Sequence, residues 1–309
     1  MAETPERPDV SVILCVRNGE RTIRRQLDAV VTQRSEHPFE LIVVDNGSTD
    51  ATARIVENVI AETRGDPPVR LIDGGQTPGL PQARNCGARA ARGRVLAFCD
   101  ADDEIQPGWV RAFSEAIDGD ILVGGTVIAV GADGTVRPPA CIRGYTATPY
   151  LPHVPGASFA IPREAYFAVG GFDESLPHYG YDDVDFSWRV QEAGIPVGYA
   201  EDAVVRFTLS GNATSVRKRF FLGMGRVLMA RRYPAYDSRH YGAPAVLADA
   251  ARMTGRLVSS AVRHRTVDRR AVSQLCVSGG QLAGVIRYGI RGMPERRLAT
   301  DSLASDQPR

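Results

Sequence analysis

The chain of 309 residues has a single lysine, Lys218, only two tryptophans and only five cysteines. The cysteines (Cys15, Cys86, Cys99, Cys141 and Cys276) are odd in number, widely scattered and never in a C-x-x-C pair. That spacing points to neither a disulfide framework nor a zinc site, and buried reduced thiols are expected. No run reaches the roughly 18 apolar residues that a membrane span requires. The opening MAETPERPD is polar and acidic without an apolar stretch, so no secretory signal is expected and the chain reads as cytoplasmic. Internal repeats and low-complexity tracts are missing. No G-x-G-x-x-G follows the first apolar run, which argues against a dinucleotide oxidoreductase.

What is present is ordinary globular composition, 43% hydrophobic and 24% charged, which argues against disorder. The length suits one large α/β domain with a smaller appendage. The formal charge of +1 conceals a division. Residues 1–205 hold 18 arginines against 30 acids, whereas residues 206–309 hold 19 basic residues against 6 acids. A basic tail of this kind either meets an anionic surface, packs on the acidic part, or is simply solvated.

Val10–Val16 (VSVILCV) is a short apolar run closed by Arg17-Asn18-Gly19, which predicts a buried strand and a turn. Glu20–Thr32 carries Ile23, Leu27, Val30 and Val31 at helical spacing. Leu41–Val44 is a second strand, closed by Asp45-Asn46-Gly47-Ser48, with Ser48 or Thr49 as cap of the next helix. Val69–Ile72, Pro81–Arg92 and Val95–Cys99 continue as strand, helix and strand, the last running into Asp100-Ala101-Asp102-Asp103. Four such alternations predict an α/β fold, an open, mostly parallel twisted sheet with helices on both faces. Ligands of such sheets sit at the carboxyl ends of the strands, where Asn18, Asp45 and Asp100–Asp103 all fall. Ile121–Val130 reads as one or two strands, Asp133-Gly134 as a turn, and residues 137–156 as a proline- and glycine-rich loop over the site. Beyond Ser215 the chain reads as mostly helical. Phe220–Arg232 there, and further on Val272, Leu275, Cys276, Leu282, Val285 and Ile286 with Arg287 and Arg291, read as either an interfacial amphipathic segment or a helix pair closing over the preceding domain.

An Asp-x-Asp at a strand end suits a hard divalent cation, because carboxylate oxygens are preferred ligands of Mg²⁺ and Mn²⁺. Alone it is weak evidence, since acidic loops and helix caps are common. The order S-V-I-L-C-V-R-N-G, V-V-D-N-G-S-T-D, G-L-P-Q-A-R-N-C-G, F-C-D-A-D-D, P-G-A-S-F-A-I-P-R-E-A-Y-F-A-V-G-G-F-D-E and G-Y-D-D-V-D-F-S-W-R is much more specific. It resembles the inverting family 2 glycosyltransferases of GT-A fold over roughly residues 10–210.

That resemblance implies a metal-dependent transferase moving a sugar from a nucleotide-diphosphate donor to an acceptor hydroxyl, in cell-envelope polysaccharide, glycolipid or related glycoconjugate synthesis. The implied organisation is a flexible stretch 1–9, a GT-A catalytic domain 10–235 and a basic helical extension 236–309. Asp45 matches the nucleobase contact, and Cys15, Arg17 and Asn18 match the turn that lines the nucleotide. The family's frequent proline and tyrosine are replaced there by Cys15 and Arg17. Arg84 and Asn85 match the pair near the diphosphate or ribose, Asp100 the ribose or metal-water position, and Asp102 the direct ligand of Mn²⁺ or Mg²⁺. Ser158 matches the sugar pocket. In Asp182-Asp183-Val184-Asp185 the resemblance makes Asp183 the general base and Asp182 an acceptor contact, with His178 close by in sequence. Val205-Arg206-Phe207 stands where many relatives carry a metal-binding histidine, so either the metal keeps more water or phosphate ligands or Arg206 helps hold the leaving diphosphate by charge. Expected partners are the nucleotide sugar, a glycan or lipid-linked acceptor and, through residues 206–309, peripheral contact with an anionic membrane at the inner face of the cell membrane. Nucleic acid is not expected. The alternatives are a degenerate, non-catalytic binding module and a sugar-nucleotide nucleotidyltransferase. The latter would need a glycine- and arginine-rich phosphate loop after strand one and a basic lysine, neither of which is in place.

Overall fold

The computed structural model describes residues 7–131, 134–137, 143–177, 179–209, 216–236, 242–265 and 268–299. Two compact units are present. The first comprises Met1–Glu174, Phe186–Gly211 and Leu298–Arg309, and the second Ser175–Asp185 and Asn212–Arg297. The first unit's borders differ from the expected domain 10–235: the stretch 175–185 and the helix after 215 group with the second.

The first unit is built on β1 (Val10–Val16), β2 (Phe39–Asp45), β3 (Val69–Asp73), β4 (Val95–Asp100), β5 (Glu104–Ile105), β6 (Leu122–Val130), β7 (Ser158–Pro162) and β8 (Val197–Thr208). They lie in the order β3-β2-β1-β4-β7-β6-β8-β5. β3, β2, β1 and β4 are parallel; β7 runs antiparallel to β4 and to β6; β8 is parallel to β6; and β5 closes the edge antiparallel to β8. The sheet is thus mixed beyond β4, with a parallel half as read from the sequence.

Successive strand residues face opposite sides, so each strand feeds two cores. Val12 and Leu14 pack with Ile23, Leu27 and Val30 of α1 (Ile23–Val31), Val56 and Val59 of α2 (Thr52–Thr63) and Trp109 and Phe113 of α4 (Trp109–Ala116). Ile13 and Ile42 face the other way, onto Ala83 and Ala88 of α3 (Leu80–Ala90) and Tyr166 of α5 (Arg163–Ala168). On that side Phe98 stacks on Phe159 at 4.6 Å and Phe172 on Phe186 at 4.6 Å. Full burial of each such ring contributes on the order of 1.5–3 kcal/mol. α2 starts at Thr52, later than the predicted caps, because Ser48 and Thr49 bond the β1 turn instead; the Thr52 amide donates to Asp50 Oδ1 at 3.0 Å.

The second unit contains α7 (Val216–Arg232), α8 (Ala243–His264) and α9 (Arg269–Ile290). Asp268 caps α9, its Oδ1 accepting from the amides of Arg270 at 2.9 Å and Ala271 at 3.1 Å. α7 and α9 approach closely through glycines. A Cβ at Gly223 would strike the Val277 carbonyl, and one at Gly280 the Phe220 carbonyl. Met224, Val227, Leu228, Met229 and Ala230 are consequently buried. The interfacial reading of Phe220–Arg232 is corrected on this ground: its apolar side is used up in helix packing. α6 (Asp182–Glu192) has its first turn in the second unit and its remainder in the first.

Candidate active site

In register, Val16 of β1 lies beside Asp45 of β2, and Asp45 beside Asp73 of β3. Cys15 lies beside Asp100 of β4, so these acidic residues share the carboxyl edge of the parallel strands. The loops after β1 and β2 are stitched together. The Asn18 amide donates to Ser48 Oγ at 2.9 Å, Asn18 Oδ1 accepts from the Thr49 amide at 2.8 Å, and the Gly19 amide donates to Thr52 Oγ1 at 2.8 Å. Asn18 holds a left-handed backbone, φ 53°, which asparagine tolerates better than most residues. Arg17 beside it is exposed. Asp45 Oδ1 accepts from the Ser48 amide at 2.8 Å, an Asx turn that holds the carboxyl at the strand end. Cys15 is a thiol rather than a thiolate: burial pushes it up to about 12, with Arg84 opposing and Asp100 adding to the shift.

Asp100 is 31% exposed and rests on Arg84, whose side chain is only 4% exposed. Arg84 Nη2 donates to Asp100 Oδ1 at 3.1 Å and to the Gly156 carbonyl at 3.0 Å, and its guanidinium covers the Phe172 ring at 5.0 Å. Arg84, expected near the diphosphate or ribose, underlies Asp100 in this structure and orients it. Asn85 follows it on α3. It is fully buried, donating to the Phe172 carbonyl and to Glu174 Oε1, both at 2.9 Å, and accepting from Tyr166 Oη at 2.6 Å and the Phe172 amide at 2.9 Å. A side-chain amide so completely used joins α3 to the 172–174 turn rather than facing a ligand. Ser158, the first residue of β7, is also fully buried, its hydroxyl accepting from the Trp109 indole at 2.9 Å.

The loop 100–105 is framed by α1. Gln26 Nε2 donates to the Asp100 carbonyl at 3.0 Å, and Gln26 Oε1 accepts from the Ile105 amide at 2.9 Å. Arg25 Nη2 donates to the Asp102 carbonyl at 3.0 Å and to Thr208 Oγ1 at 3.2 Å. Sequence reasoning missed both. The available signal was Gln26 itself, a polar residue set between Ile23 and Leu27 on the buried face of α1. Within the loop Asp102 is exposed and Asp103 fully buried. Asp103 Oδ1 accepts from the Thr208 amide at 2.9 Å, while its buried Oδ2 has no hydrogen-bond partner. Burial, followed by repulsion from Asp100, pushes the Asp103 carboxyl up to about 8. Arg206 is exposed on β8, opposite Glu104.

Among the described residues no three His, Cys, Asp or Glu side chains are gathered to hold a metal ion. The donor chemistry still fits a magnesium-type cation, which takes one or two protein carboxylates and completes its shell with phosphate and water. Asp100 and Asp102 offer two such carboxylates at the end of β4, and the buried Asp103 Oδ2 has no hydrogen-bond partner.

Asp182 and Asp183 stand half-buried in the first turn of α6, where negative charge suits the helix N-terminus, and Asp183 Oδ1 accepts from the Val184 amide at 2.9 Å. Asp185 is fully buried and accepts from Tyr233 Oη at 2.8 Å. His178 lies outside the described residues. One cleft, about 630 Å³, is lined by Asp9, His37 and Arg94 among others and opens at the amino ends of β1 and β4, the opposite strand ends from Asp45 and Asp100.

Among curated proteins, the chain is 28% identical to the pre-mycofactocin glycosyltransferase of Mycobacterium tuberculosis (strain ATCC 25618 / H37Rv) over 94% of its own length and 63% of the relative's. It is 37% identical to the succinoglycan biosynthesis protein ExoO of Rhizobium meliloti over 36% of its own length and 30% of that protein's. It thus spans less than two thirds of these relatives. Among solved structures it is similar to the mannosyltransferase PcManGT of Pyrobaculum calidifontis in complex with GDP-Man and Mn²⁺, with a TM-score of 0.59 and 20% identity over 92% of this chain and 87% of that one. It is also similar to Staphylococcus aureus TarS 1-349 in complex with UDP-GlcNAc, with a TM-score of 0.52 and 16% identity over 97% and 92%. These likenesses show the fold. Residues 11–171, more than half of the chain, match the model of glycosyl transferase family 2, and the chain belongs to that family.

Proposed function

We propose that the protein transfers a sugar, with inversion, from a nucleotide-diphosphate donor to an acceptor hydroxyl in glycoconjugate synthesis. The observation that carries this reading is the Asp100–Asp103 loop, held at the carboxyl end of β4 by Arg84 and Gln26 with Asp45 on the same strand edge. Asp45 receives the base, the turn of Cys15, Arg17 and Asn18 lines the nucleotide, and Asp100 takes the ribose or a metal-bound water. Asp102, assisted by Asp100, holds Mn²⁺ or Mg²⁺, which when bound neutralises diphosphate charge. The exposed Arg206 adds charge for the departing diphosphate. Asp183 accepts the proton of the acceptor hydroxyl as that oxygen bonds to the sugar C1; the C1–oxygen bond to the diphosphate breaks and its electron pair leaves with the diphosphate. Asp182 orients the acceptor. The donor-bound states of PcManGT and TarS, and the activities that the curated relatives' names describe, support the substrate class. Titration calorimetry with UDP-, GDP- and dTDP-sugars, with and without Mn²⁺, tests it. One class is expected to bind, and more tightly with Mn²⁺; binding by none would refute the reading.

Peripheral contact with an anionic bilayer through residues 206–309 is the second part of the proposal, and α8 supplies a surface for it. Leu247, Ala251, Val258 and Val262 share one face of α8 and are exposed, Leu247 by 55% and Val262 by 75%, with Arg252, Arg256 and Arg263 alongside. No helix among the described residues is long and apolar enough to cross a membrane. Sedimentation with vesicles tests this: retention on phosphatidylserine-containing vesicles but not on pure phosphatidylcholine is expected, and equal recovery with both would contradict it.

A further inference from the structure

The turn that carries Asp182 and Asp183 belongs to the helical unit, and its seating there is unusually specific. Tyr181, at the foot of α6, has a left-handed backbone of φ 71°, uncommon for an aromatic residue. Its carbonyl accepts from the Asp185 amide at 2.9 Å, the first helical bond of α6. Its hydroxyl accepts from Arg226 Nε at 3.2 Å. Its ring covers Gly225, where an added Cβ would stand 2.8 Å from Cδ2 of that ring.

One turn further, the buried carboxylate of Asp185 accepts from Tyr233 Oη at 2.8 Å. Arg296 Nη2 lies 3.6 Å from the same carboxylate oxygen and donates to Tyr233 Oη at 2.9 Å, with its guanidinium 5.4 Å from the Tyr233 ring centre. Arg232 Nη1 lies 4.0 Å from Asp185, and Arg232 Nη2 donates to Ser175 Oγ at 2.8 Å and to the Pro294 carbonyl at 3.1 Å. Gly225, Arg226, Arg232 and Tyr233 recur at helical spacing, so a single face of α7 and the residue just beyond it receive the whole turn. That helix is itself locked to α9 by the close approaches at Gly223 and Gly280.

A buried carboxylate between two arginines adds little net stability, because desolvation offsets most of the attraction. What such a network fixes is geometry. Resting on the assignment of Asp183 as base, we infer that Tyr233 and Arg296 are positioning residues: through Asp185 they fix the backbone from which Asp182 and Asp183 project. The helical unit then carries and orients the turn from which the proposed base projects.

The test uses the full chain and whichever UDP-, GDP- or dTDP-sugar binds it most tightly. Four readouts are taken: donor affinity, thermal stability, kcat against KM for nucleoside diphosphate release, and hydrogen exchange of the 181–185 amides. Tyr233→Phe and Arg296→Leu are expected to lower kcat tenfold or more, leave donor KM within twofold, and speed exchange at the Asp185 amide. Arg296→Lys keeps a cation and a donor and is expected to restore most of the rate. Unchanged kcat and unchanged exchange in Tyr233→Phe would overturn the inference. So would a parallel loss of donor affinity and thermal stability in all three variants, which would mark the network as support for folding alone. Failure of the underlying reading looks different. Asp183→Asn would then keep wild-type turnover, while faster exchange in Tyr233→Phe would still uphold the seating of the turn on Tyr233.

Discussion

Two acidic clusters carry the proposed chemistry, and they are held in opposite ways. Asp100–Asp103 hangs from the end of a central strand and is framed by α1 and α3, elements that precede it by some 10 to 80 residues and belong to the same sheet unit. Asp182–Asp185 opens a helix and is seated on α7 and on Arg296, residues that follow it by some 40 to 110 positions in a basic helical unit. The first cluster is supported by the local logic of an α/β sheet, in which ligand groups collect at strand ends. The second depends on non-local contacts. Substitutions therefore separate the two: those around the first should alter donor and metal binding, and those around the second turnover.

The largest expected effect is that of Asp183→Asn. Removing a general base should lower kcat by roughly 10²–10⁴-fold with donor affinity retained, as checked by nucleotide release alongside titration. Arg84→Leu comes next. It withdraws a buried cation from Asp100, and breaking a buried pair on one side costs on the order of 3–5 kcal/mol, less here because Asp100 is partly solvated. Urea unfolding should report a loss of about 3 kcal/mol together with weaker Mn²⁺-dependent donor binding. Asn85→Ala should cost about 1–3 kcal/mol by the same measurement, since it leaves the Tyr166 hydroxyl and the Phe172 amide and carbonyl without their partner; the rate per folded molecule should change little. Gly280→Ala sharpens the contrast from the helical side. Its Cβ meets the Phe220 carbonyl, so a loss of about 1–3 kcal/mol is expected there, with donor affinity unaltered.

The smallest effect concerns Asp9, which precedes β1 on the sheet unit, at the opposite strand end from Asp45 and Asp100. Burial pushes its carboxyl up, but the hydrogen bond from Ser114 and the Arg94 guanidinium outweigh it and hold the carboxyl below the ordinary value of 3.8. A depressed folded value means the stabilisation is complete above the unfolded value and is lost as pH falls through the folded one. Asp9→Asn should therefore reduce the acid sensitivity of unfolding below about pH 4 and leave the neutral range nearly parallel to wild type.

Much of the first cluster's setting was legible in the sequence. β1 runs from Val10 to Val16 as its apolar run indicates, and the loops closing β1, β2 and β4 lie where ligand-bearing loops were expected. Pattern alone did not reveal which way side chains point. Arg84, Asn85 and Ser158 sit in motif segments, yet all three are buried, because partners contributed by Asp100, the 172–174 turn and Trp109 claim their polar atoms. β8 escaped notice for another reason: its exposed Glu201, Asp202 and Arg206 break any apolar run, and only pairing with distant β6 and β5 defines it as a strand. The seating of Asp185 was invisible likewise, since nothing local joins residue 185 to Tyr233 or Arg296. Phe220–Arg232 looked amphipathic enough for a membrane surface until the Gly223 and Gly280 contacts accounted for its apolar face.

The contrast between the clusters reduces to one paired measurement: donor titration with and without Mn²⁺, together with nucleotide release, on Asp102→Asn and Asp183→Asn. The account predicts that Asp102→Asn abolishes the tightening by Mn²⁺, whereas Asp183→Asn binds donor and Mn²⁺ like wild type but turns over at no more than about a hundredth of the rate. Wild-type turnover in Asp183→Asn, or undiminished Mn²⁺ dependence in Asp102→Asn, would contradict it.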